Sequence, residues 1–207
     1  MKKAVVLLSG GVDSCVALAY ALSQNRKCQA ISFDYGQRHK IELESAKAIA
    51  SYYGIAHTPV QIDSTLFSNG RSYSLLDIAH KVERKPTSNI PSTYVPCRNL
   101  LFLSHAACFA EVHNASEIYF AANADDYENY PDCRHPFVKG LEAAISQGSP
   151  HKVEIITPLI EMTKKQIGDL GRRLNAPLEM TWSCYAPQEN KQPCGTCQAC
   201  ALRKSVF

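Results

Sequence analysis

Short apolar runs alternate with longer helical patterns along most of this chain, and this alternation limits the fold more than any other feature. Each run suits a buried strand, and each intervening segment repeats its apolar residues at helical spacing. Repeated strand–helix–strand units are typical of an α/β protein, in which helices cover both faces of a parallel sheet. We predict strands at 4–8, 28–33, 58–62, 117–121 and 153–156, the third being the weakest, and helices at 13–24, 40–53, 99–113, 137–146 and 164–174.

Local signals refine two of these helices, and one segment interrupts the pattern. The second helix should end at Gly54, because glycine often follows the last residue of a helix. The last helix should begin with a capping box formed by Thr163 and Gln166. The polar, turn-rich segment 64–93 is predicted to be either a lid or a mobile connection, and residues 75–82 within it could form a short helix.

The composition places the chain among ordinary globular proteins. Its 207 residues are enough for one sizeable core with a small appendage, and 45% of them are hydrophobic while 20% are charged. A net charge of +3 does not require a nucleic-acid or membrane partner. The opening MKKAVVLL has the charge of a signal peptide, but its apolar run is too short for one. We therefore expect a cytoplasmic protein that binds neither membranes nor nucleic acids.

The stretch LSGGVDSC (residues 8–15) lies where the first predicted strand meets the first predicted helix. Its two glycines leave backbone N–H groups uncovered, and the helix N-terminus adds unpaired donors and partial positive charge. Its two serines add hydroxyl donors, and Asp13 could either hold magnesium or cap the helix. We interpret the stretch as a cradle for phosphate, with a ligand-free turn capped by Asp13 as the alternative.

The motif within this stretch indicates one kind of nucleotide chemistry. The chain contains neither the dinucleotide fingerprint nor the Walker phosphate loop. S-G-G-x-D-S instead resembles the pyrophosphate loop of the PP-loop superfamily, whose members cut ATP between its α and β phosphates and place AMP on a substrate oxygen. The resemblance implies that ATP contacts Leu8, Ser9, Gly10, Gly11, Val12, Asp13, Ser14, Cys15, Val16, Ala17 and Leu18.

Nine cysteines are an unusual number for a chain of this length. Their odd number and the expected lack of an export signal favour metal ligation over disulfides. Four of them form the pattern C-x9-C-x2-C-x2-C, whose short gaps let thiolates converge on one ion. Four thiolates suit a closed, tetrahedral Zn2+ site with a structural role, and an iron–sulfur cluster or reduced thiols are the alternatives. The predicted ligands are Cys184, Cys194, Cys197 and Cys200.

The phosphate-loop motif and the cysteine pattern together resemble the QueC family, the 7-cyano-7-deazaguanine synthases of queuosine biosynthesis. The resemblance covers nearly the whole chain, and further motifs follow in the family's order. They are SFDYGQRHKIELESA at 32–46, PSTYVPCRN at 91–99, YPDCR at 130–134, TPLIEMTKKQI at 157–167 and PCGTCQACALRKSVF at 193–207. So many independent motifs in one order argue against a chance match.

The resemblance implies a Rossmann-like fold of the adenine nucleotide α-hydrolase type. A PP-loop ATP-binding domain at 1–180 would carry a small zinc-binding tail at 181–207 packed on it. The implied enzyme is a ligase that forms C–N bonds. ATP would activate 7-carboxy-7-deazaguanine, ammonia would convert the adenylated carboxylate to an amide, and a second ATP would activate that amide to give the nitrile. AMP and diphosphate would be released, and Mg2+ would offset the phosphate charge.

The resemblance also implies roles for individual residues. Lys164 lies at a helix start, where a cation is mildly unfavourable unless a phosphate is close. Arg98 offers a planar fork to a carboxylate or phosphate, and Asp132 could accept hydrogen bonds from a guanine-like ring. Surface or capping roles are the alternatives for Arg98, Asp132 and Arg134, and a plain turn is the alternative for Tyr35. The expected catalytic residues are Ser9, Asp13, Ser14 and Lys164, and the expected substrate contacts are Tyr35, Arg98, Asn99, Asp132 and Arg134.

Two positions differ from the usual family pattern and leave the acceptor open. Cys97 stands where a small residue is common, and Asn129 stands where glycine is usual. Both lie in the expected pocket, so a QueC-like ligase that transfers the adenylated carboxylate to another acceptor is the main alternative. A zinc ribbon that binds nucleic acid or protein is a second alternative, and a homodimer is a further expectation from the family. His39 and His135 are expected at the surface rather than as proton carriers.

Overall fold

Five parallel strands form the centre of the molecule. A computed structural model describes residues 1–37, 40–67, 75–76, 92–127 and 130–207 of the chain. The strands within these residues are β1 (Lys3–Leu7), β2 (Lys27–Asp34), β3 (His57–Gln61), β4 (Glu117–Tyr119) and β5 (Glu154–Ile156). Their order in the sheet is β3–β2–β1–β4–β5, and every neighbouring pair is parallel. The predicted α/β class with a parallel sheet is therefore confirmed.

Six α-helices occur in the described part of the chain. The five predicted helices are confirmed, and both ends of each lie within two residues of the prediction. The sixth is not predicted by the sequence pattern, because so short a helix shows little periodicity. No helix in the described ranges has the length and hydrophobicity needed to cross a membrane. The helices are α1 (Val12–Ser23), α2 (Ile41–Tyr52), α3 (Arg98–His113), α4 (His135–Gly148), α5 (Lys164–Arg173) and α6 (Gln198–Arg203).

The alternation of side chains along the central strand explains why helices lie on both faces of the sheet. Val5 and Leu7 point to one face, where they pack in a cluster with α3 and α4. Ala4, Val6 and Leu8 point to the other face and pack with α1 and α2. A strand that is buried on both faces reads as one continuous apolar run, which is why the sequence predicts it so clearly.

The end of the chain docks onto the outer helix layer. An apolar cluster between α1 and α5 also includes Val206. A Cβ atom at Gly168 on α5 would lie 2.9 Å from the carbonyl oxygen of Val206, so glycine allows this close approach. The guanidinium of Arg172 donates a hydrogen bond to the same carbonyl. The predicted division into domains at 1–180 and 181–207 stays a prediction.

The helix ends agree with two predictions and contradict a third. Gly54 follows α2 in a left-handed conformation, with φ of +62°. Thr163 and Gln166 form the predicted capping box of α5. Asp13 does not cap α1, because the N-cap residue is Gly11 and no side chain of the described residues caps this helix. The capping role considered for Asp13 is therefore wrong, and its carboxylate is directed to other partners.

The segment 64–93 is described only in part. Ser64–Phe67 form one turn of 3-10 helix, and residues 75 and 76 lie in a turn. Most of the short helix predicted at 75–82 lies outside the described residues.

A buried ion-pair network closes the amino-terminal edge of the sheet. Glu117, at the start of β4, is 1% exposed. Its carboxylate accepts hydrogen bonds from Lys2 (3.0 Å), Arg26 (2.6 Å) and the Tyr119 hydroxyl (3.1 Å). Burial raises the pKa of Glu117, but these donors outweigh burial and hold the pKa below its ordinary value. Complete pairing of both oxygens is typical of a structural role.

Candidate active site

A cavity at the carboxyl-terminal edge of the sheet lies where the strand order reverses. The chain runs outward from β1 to β2 and β3, and then returns to β4 on the other side of β1. Crevices at such switch points bind ligands in α/β proteins. The cavity walls come from the β1–α1 loop, the ends of β2 and β4, the first turns of α2 and α3, and the segment leading to the cysteines. Distant segments of the chain therefore meet at this edge.

The phosphate loop (residues 9–14) is held in shape by its own hydrogen bonds. The N–H of Ser9 donates to Oγ of Ser14 (3.2 Å), and the Ser14 hydroxyl donates to the carbonyl of Gly11 (3.0 Å). The N–H of Gly11 in turn donates to Oγ of Ser9 (3.3 Å). The loop is thus preorganised, and it leads directly into α1, whose N-terminal dipole favours an anion.

Gly10 is required by the close contact between the phosphate loop and α2. It has φ of +90°, and a Cβ atom at this position would lie 2.0 Å from the carbonyl oxygen of Glu42. Its own carbonyl accepts a hydrogen bond from the backbone N–H of Trp182 (2.8 Å). The loop is therefore clamped between α2 and the C-terminal segment, and a larger residue does not fit.

Asp13 is the centre of a charged cluster beside the phosphate loop. Its Oδ2 atom accepts hydrogen bonds from Nζ of Lys164 and from Nδ2 of Asn123, the latter at 3.1 Å. Its Oδ1 atom is buried and has no hydrogen-bond partner among the described residues. A buried carboxylate oxygen without a donor is costly, and a bound cation would compensate this cost. The cluster therefore fits Mg2+, a hard cation that prefers oxygen ligands.

Lys164 joins segments that lie far apart in the sequence. It is the first residue of α5, and its backbone N–H donates to the carboxylate of Asp125 (2.8 Å). Burial lowers the pKa of its ammonium group, but Asp13 and Asp126 outweigh burial and raise that pKa. Lys164 is therefore charged at neutral pH, and the carboxylates offset its unfavourable place at a helix N-terminus.

Asn123 and Asp126 complete this cluster, although the sequence analysis does not include them among the site residues. Nδ2 of Asn123 donates to the carboxylate of Asp126 (2.6 Å) as well as to that of Asp13. Burial raises the pKa of Asp126, and the charge of Lys164 opposes this rise. Both residues follow the carboxyl end of β4. That position, next to a predicted strand, is the sequence signal that could have identified them.

The other end of the cavity is aromatic and carries one basic and one acidic side chain, those of Arg98 and Glu42. Arg98 donates to the Tyr35 hydroxyl (3.3 Å), and its guanidinium lies 5.7 Å from the centre of the Tyr35 ring. Glu42 on α2 accepts a hydrogen bond from Nε2 of Gln37 (3.3 Å). Burial raises the pKa of Glu42 from 4.5 to about 7, although Arg98 and Gln37 act in the opposite direction. Glu42 is a further site residue that the sequence analysis misses.

Replacing Glu42 with glutamine is expected to stabilise the protein at alkaline pH and not at acid pH. A carboxyl group with a raised folded-state pKa contributes its full stability below about pH 4.5 and loses it as the pH rises through about 7. Glutamine cannot ionise, so the free energy of unfolding should increase by about 1–3 kcal/mol at pH 8 and change little at about pH 5. Denaturant unfolding at both pH values measures this difference.

Glu44→Gln is the matched control on the same helix. Glu44 is exposed and lies 3.6 Å from the exposed ammonium group of Lys191. The effect of this control should be small and the same at both pH values. A stability gain for Glu42→Gln that is equal at both pH values would contradict the raised pKa of Glu42.

Three of the five predicted substrate residues line the cavity. Tyr35, Arg98 and Asn99 line the cavity, whereas Asp132 and Arg134 are not among the described residues that do. Oδ2 of Asp132 accepts a hydrogen bond from the N–H of Asn99 (3.1 Å), so this carboxylate caps α3 from outside the helix. Its Oδ1 atom is buried and lacks a partner in the described part of the chain. Nε of Arg134 donates to the carbonyl of Tyr127 (2.9 Å).

One of the two positions that differ from the family pattern can be located. Cys97 is exposed, has φ of +54° before α3, and is not one of the described residues that line the cavity. Asn129 lies outside the described residues, and so does His39. His135 is exposed at the start of α4.

The four predicted metal ligands converge on one point. The sulfur atoms of Cys184, Cys194, Cys197 and Cys200 lie within 4.8 Å of one another. Those of Cys194 and Cys200 are 3.9 Å apart, and tetrahedral zinc with 2.3 Å bonds implies a spacing of about 3.8 Å. Without a metal ion, burial raises the pKa values of the Cys184 and Cys200 thiols. Burial also raises that of Cys194, but N–H donation from Thr196 and Cys197 outweighs it and lowers the pKa to about 6. The cluster therefore fits a tetrahedral metal ion bound by thiolates.

Sequence comparison shows that the chain is similar to one family of proteins. The family profile described as "Queuosine biosynthesis protein QueC" matches residues 3–207. A 7-cyano-7-deazaguanine synthase from Picrophilus torridus is 44% identical over 211 residues, which cover 100% of this chain and 87% of the relative. A 7-cyano-7-deazaguanine synthase from Trichodesmium erythraeum is 45% identical over 213 residues, which cover 99% of this chain and 95% of the relative.

Comparison with solved structures agrees with the predicted fold. NMN synthetase from Francisella tularensis aligns with a TM-score of 0.55 at 17% identity, over 94% of this chain and 70% of that one. NH3-dependent NAD synthetase from Campylobacter jejuni aligns with a TM-score of 0.52 at 17% identity, over 86% and 66%. At such low identity the likeness concerns the fold alone. The predicted Rossmann-like parallel α/β fold is therefore confirmed.

Proposed function

The chain belongs to the QueC family of queuosine biosynthesis proteins, and from this we propose that it converts 7-carboxy-7-deazaguanine and ammonia into 7-cyano-7-deazaguanine with consumption of ATP. It would thus be a ligase that forms C–N bonds. The proposal rests chiefly on the phosphate loop, which adjoins the Asp13–Lys164 pair at the edge of an aromatic cavity. The predicted ATP contacts at 8–18 follow from the position of this loop at the start of α1.

In the first step, an oxygen of the substrate carboxylate attacks the α-phosphorus of ATP. A new O–P bond forms, and the bond to diphosphate breaks. The N–H groups in the first turn of α1 would hold the phosphates, and the hydroxyls of Ser9 and Ser14 would turn from their partners within the loop to join them. Lys164 would balance the negative charge that develops on the departing diphosphate. Asp13 would hold Mg2+, whose chemistry is to offset phosphate charge.

The aromatic end of the cavity suits a planar heterocycle. The rings of Tyr35 and Phe102 have centres 5.4 Å apart, and the guanidinium of Arg98 lies beside them. We expect Tyr35, Arg98 and Asn99 to contact the deazaguanine. Asp132 would act indirectly, because its carboxylate accepts a hydrogen bond from the backbone N–H of Asn99 and so positions that residue. Because Glu42 lines the cavity, it is the better placed carboxylate to accept hydrogen bonds from the N–H groups of the substrate.

The remaining steps use the activated carbon. Ammonia attacks the carbonyl carbon, a C–N bond forms, and AMP leaves with the carboxylate oxygen. The amide oxygen then attacks the α-phosphorus of a second ATP and expels a second diphosphate, and loss of AMP and two protons leaves the nitrile. A carboxylate is a poor electrophile, so the adenylate supplies both the leaving group and a reduced negative charge. No nucleophilic side chain is needed for this sequence of steps.

We also propose that the cysteine cluster binds one structural Zn2+ and that the enzyme works in the cytoplasm as a homodimer. Four thiolates with no open position suit zinc that stabilises structure rather than zinc that activates water. Free thiols in this number suit a reducing compartment. The homodimer is an expectation from the family.

Mass spectrometry of the reaction products tests the proposed function. The protein is incubated with 7-carboxy-7-deazaguanine, ammonium, ATP and Mg2+, and the expected result is the nitrile with two AMP released for each molecule formed. An amide or an adenylate that proceeds no further would favour the alternative of a QueC-like ligase with another acceptor. Absence of AMP would contradict the proposed substrate.

A further inference from the structure

One short segment of the chain connects the cysteine cluster directly to the phosphate loop. The bridging segment (residues 181–185) begins beside the loop, where the N–H of Trp182 donates to the carbonyl of Gly10 (2.8 Å). The carbonyl oxygen of Trp182 also lies 3.6 Å from the position that a Cβ atom would take at Gly11. The backbone of Trp182 therefore forms part of the outer support of the loop.

The other end of the bridging segment is a metal ligand. Cys184 is only two residues after Trp182, and the indole Nε1 of Trp182 donates to the carbonyl of Cys184 (2.9 Å). The sulfur of Cys184 accepts a hydrogen bond from the N–H of Cys194 (3.2 Å). The position of the sulfur atom and the position of the loop contact are thus fixed by the same few backbone bonds.

A side chain that follows the last metal ligand holds the bridging segment from outside. Arg203 lies on α6, which contains Cys200, and its Nη1 donates to Thr181 (2.8 Å) and to Ser183 (3.1 Å). A helix of only six residues is not stable by itself in water. A metal ion that binds Cys197 and Cys200 would anchor the start of α6 and, through Arg203, the bridging segment.

The bridging segment also forms one wall of the cavity. Trp182, Cys184 and Tyr185 all line it. Arg98 and Glu42, which belong to the end where the substrate is expected, line the same cavity as Tyr185. Displacement of the bridging segment would therefore affect both the phosphate loop and the end of the cavity that contains Arg98 and Glu42.

We propose that metal binding at the four cysteines and ATP binding at the phosphate loop are cooperative, with the bridging segment as the physical link. The inference rests on the proposed binding of ATP. The metal holds residues 181–185 in place, and these residues complete the support of the loop that ATP occupies. Coupling of two binding sites is reciprocal, so ATP must raise the affinity for the metal by the factor by which the metal raises the affinity for ATP.

The test uses the single tryptophan of the chain as a reporter, because Trp182 lies between the two sites. Its fluorescence is titrated with Mg-ATP in the zinc-loaded protein and in protein stripped by a chelator, with circular dichroism to establish that the stripped protein is folded. We expect the dissociation constant for ATP to rise by about 5- to 150-fold on removal of zinc. The partition of zinc between the intact, loaded protein and a competing coloured chelator is then measured at equilibrium with and without Mg-ATP, and the protein should retain more zinc with Mg-ATP.

The second measurement needs no stripped protein, so it decides the proposal even if removal of zinc unfolds the chain. An unchanged equilibrium partition of zinc in the presence of saturating Mg-ATP would overturn the coupling and leave the proposed function intact. Failure of the zinc-loaded protein to bind ATP would instead overturn the proposed function, and the coupling with it. Arg203→Ala should retain zinc and weaken ATP binding, whereas Lys204→Ala, at the neighbouring exposed position, should change neither.

Discussion

Replacing Asp13 with asparagine is expected to reduce ATP-dependent AMP formation by roughly 10²- to 10³-fold, the effect of losing one preorganised electrostatic contact to a transition state. Asparagine has almost the same shape and can still accept a hydrogen bond from Lys164 through its oxygen. It removes the negative charge from the buried Oδ1 position, which lacks a partner among the described residues. The cluster then loses the Asp13 carboxylate as a ligand for magnesium.

The rate is measured as AMP release, and thermal unfolding establishes that the variant is folded. Asp169→Asn is the matched control, because Asp169 also pairs with a cation, Arg172 (2.6 Å), but both side chains are about half exposed on α5. This control should keep its activity, since exposed ion pairs contribute little. Unchanged AMP release from Asp13→Asn would mean that the loop is only a turn.

Replacing Gly10 with alanine is expected to abolish detectable ATP binding and to lower the free energy of unfolding by ~2–5 kcal/mol. The left-handed conformation alone costs an L-residue roughly 1–2 kcal/mol, and overpacking adds roughly 1–3 kcal/mol. The overpacking is severe here, because the new methyl group would lie 2.0 Å from the carbonyl oxygen of Glu42. The loop must move away from α2, and the contact between Gly10 and Trp182 is then lost.

Gly54→Ala separates the steric effect from the conformational one. Gly54 also has a positive φ, of +62°, but a Cβ atom there would lie more than 4 Å from every other side chain and backbone atom in the described part of the chain. This variant should lose only roughly 1–2 kcal/mol of stability and should bind ATP normally, as measured by Trp182 fluorescence. Equal effects of the two alanines on stability and on ATP binding would show that the contact with α2 does not determine the shape of the loop.

The sequence predicts the secondary structure well, because the signals for it are local. Alternation of apolar residues, helix caps and breakers each act over a few residues, and the ten predicted strands and helices all occur within two residues of their predicted ends. The phosphate loop and the four cysteines are equally local patterns. By contrast, α6 carries too few residues for a pattern, and the division at residue 180 stays a prediction.

The candidate site is harder to predict, because its residues come from distant segments. Lys164 lies 151 residues after Asp13, yet the two form an ion pair. Glu42 lies within the motif at 32–46, but its neighbours in the sequence do not distinguish it from a surface carboxylate such as Glu44, and Asp126 lies in no motif. The burial of Glu42 and Asp126, which raises both pKa values, exists only when α2 and the segment after β4 meet at the same edge of the sheet.

The sequence by itself thus determined the order of strands and helices, the phosphate loop and the cluster of four cysteines, since short-range periodicity and spacing are sufficient for these. Only the tertiary structure decided that the Asp13 carboxylate faces Lys164 instead of capping α1, and that Asp132 caps α3 away from the cavity wall. It also decided that the cysteine tail supports the phosphate loop through Trp182. These contacts depend on how the connections between parallel strands bring distant segments to the same edge of the sheet. No local sequence pattern contains that information.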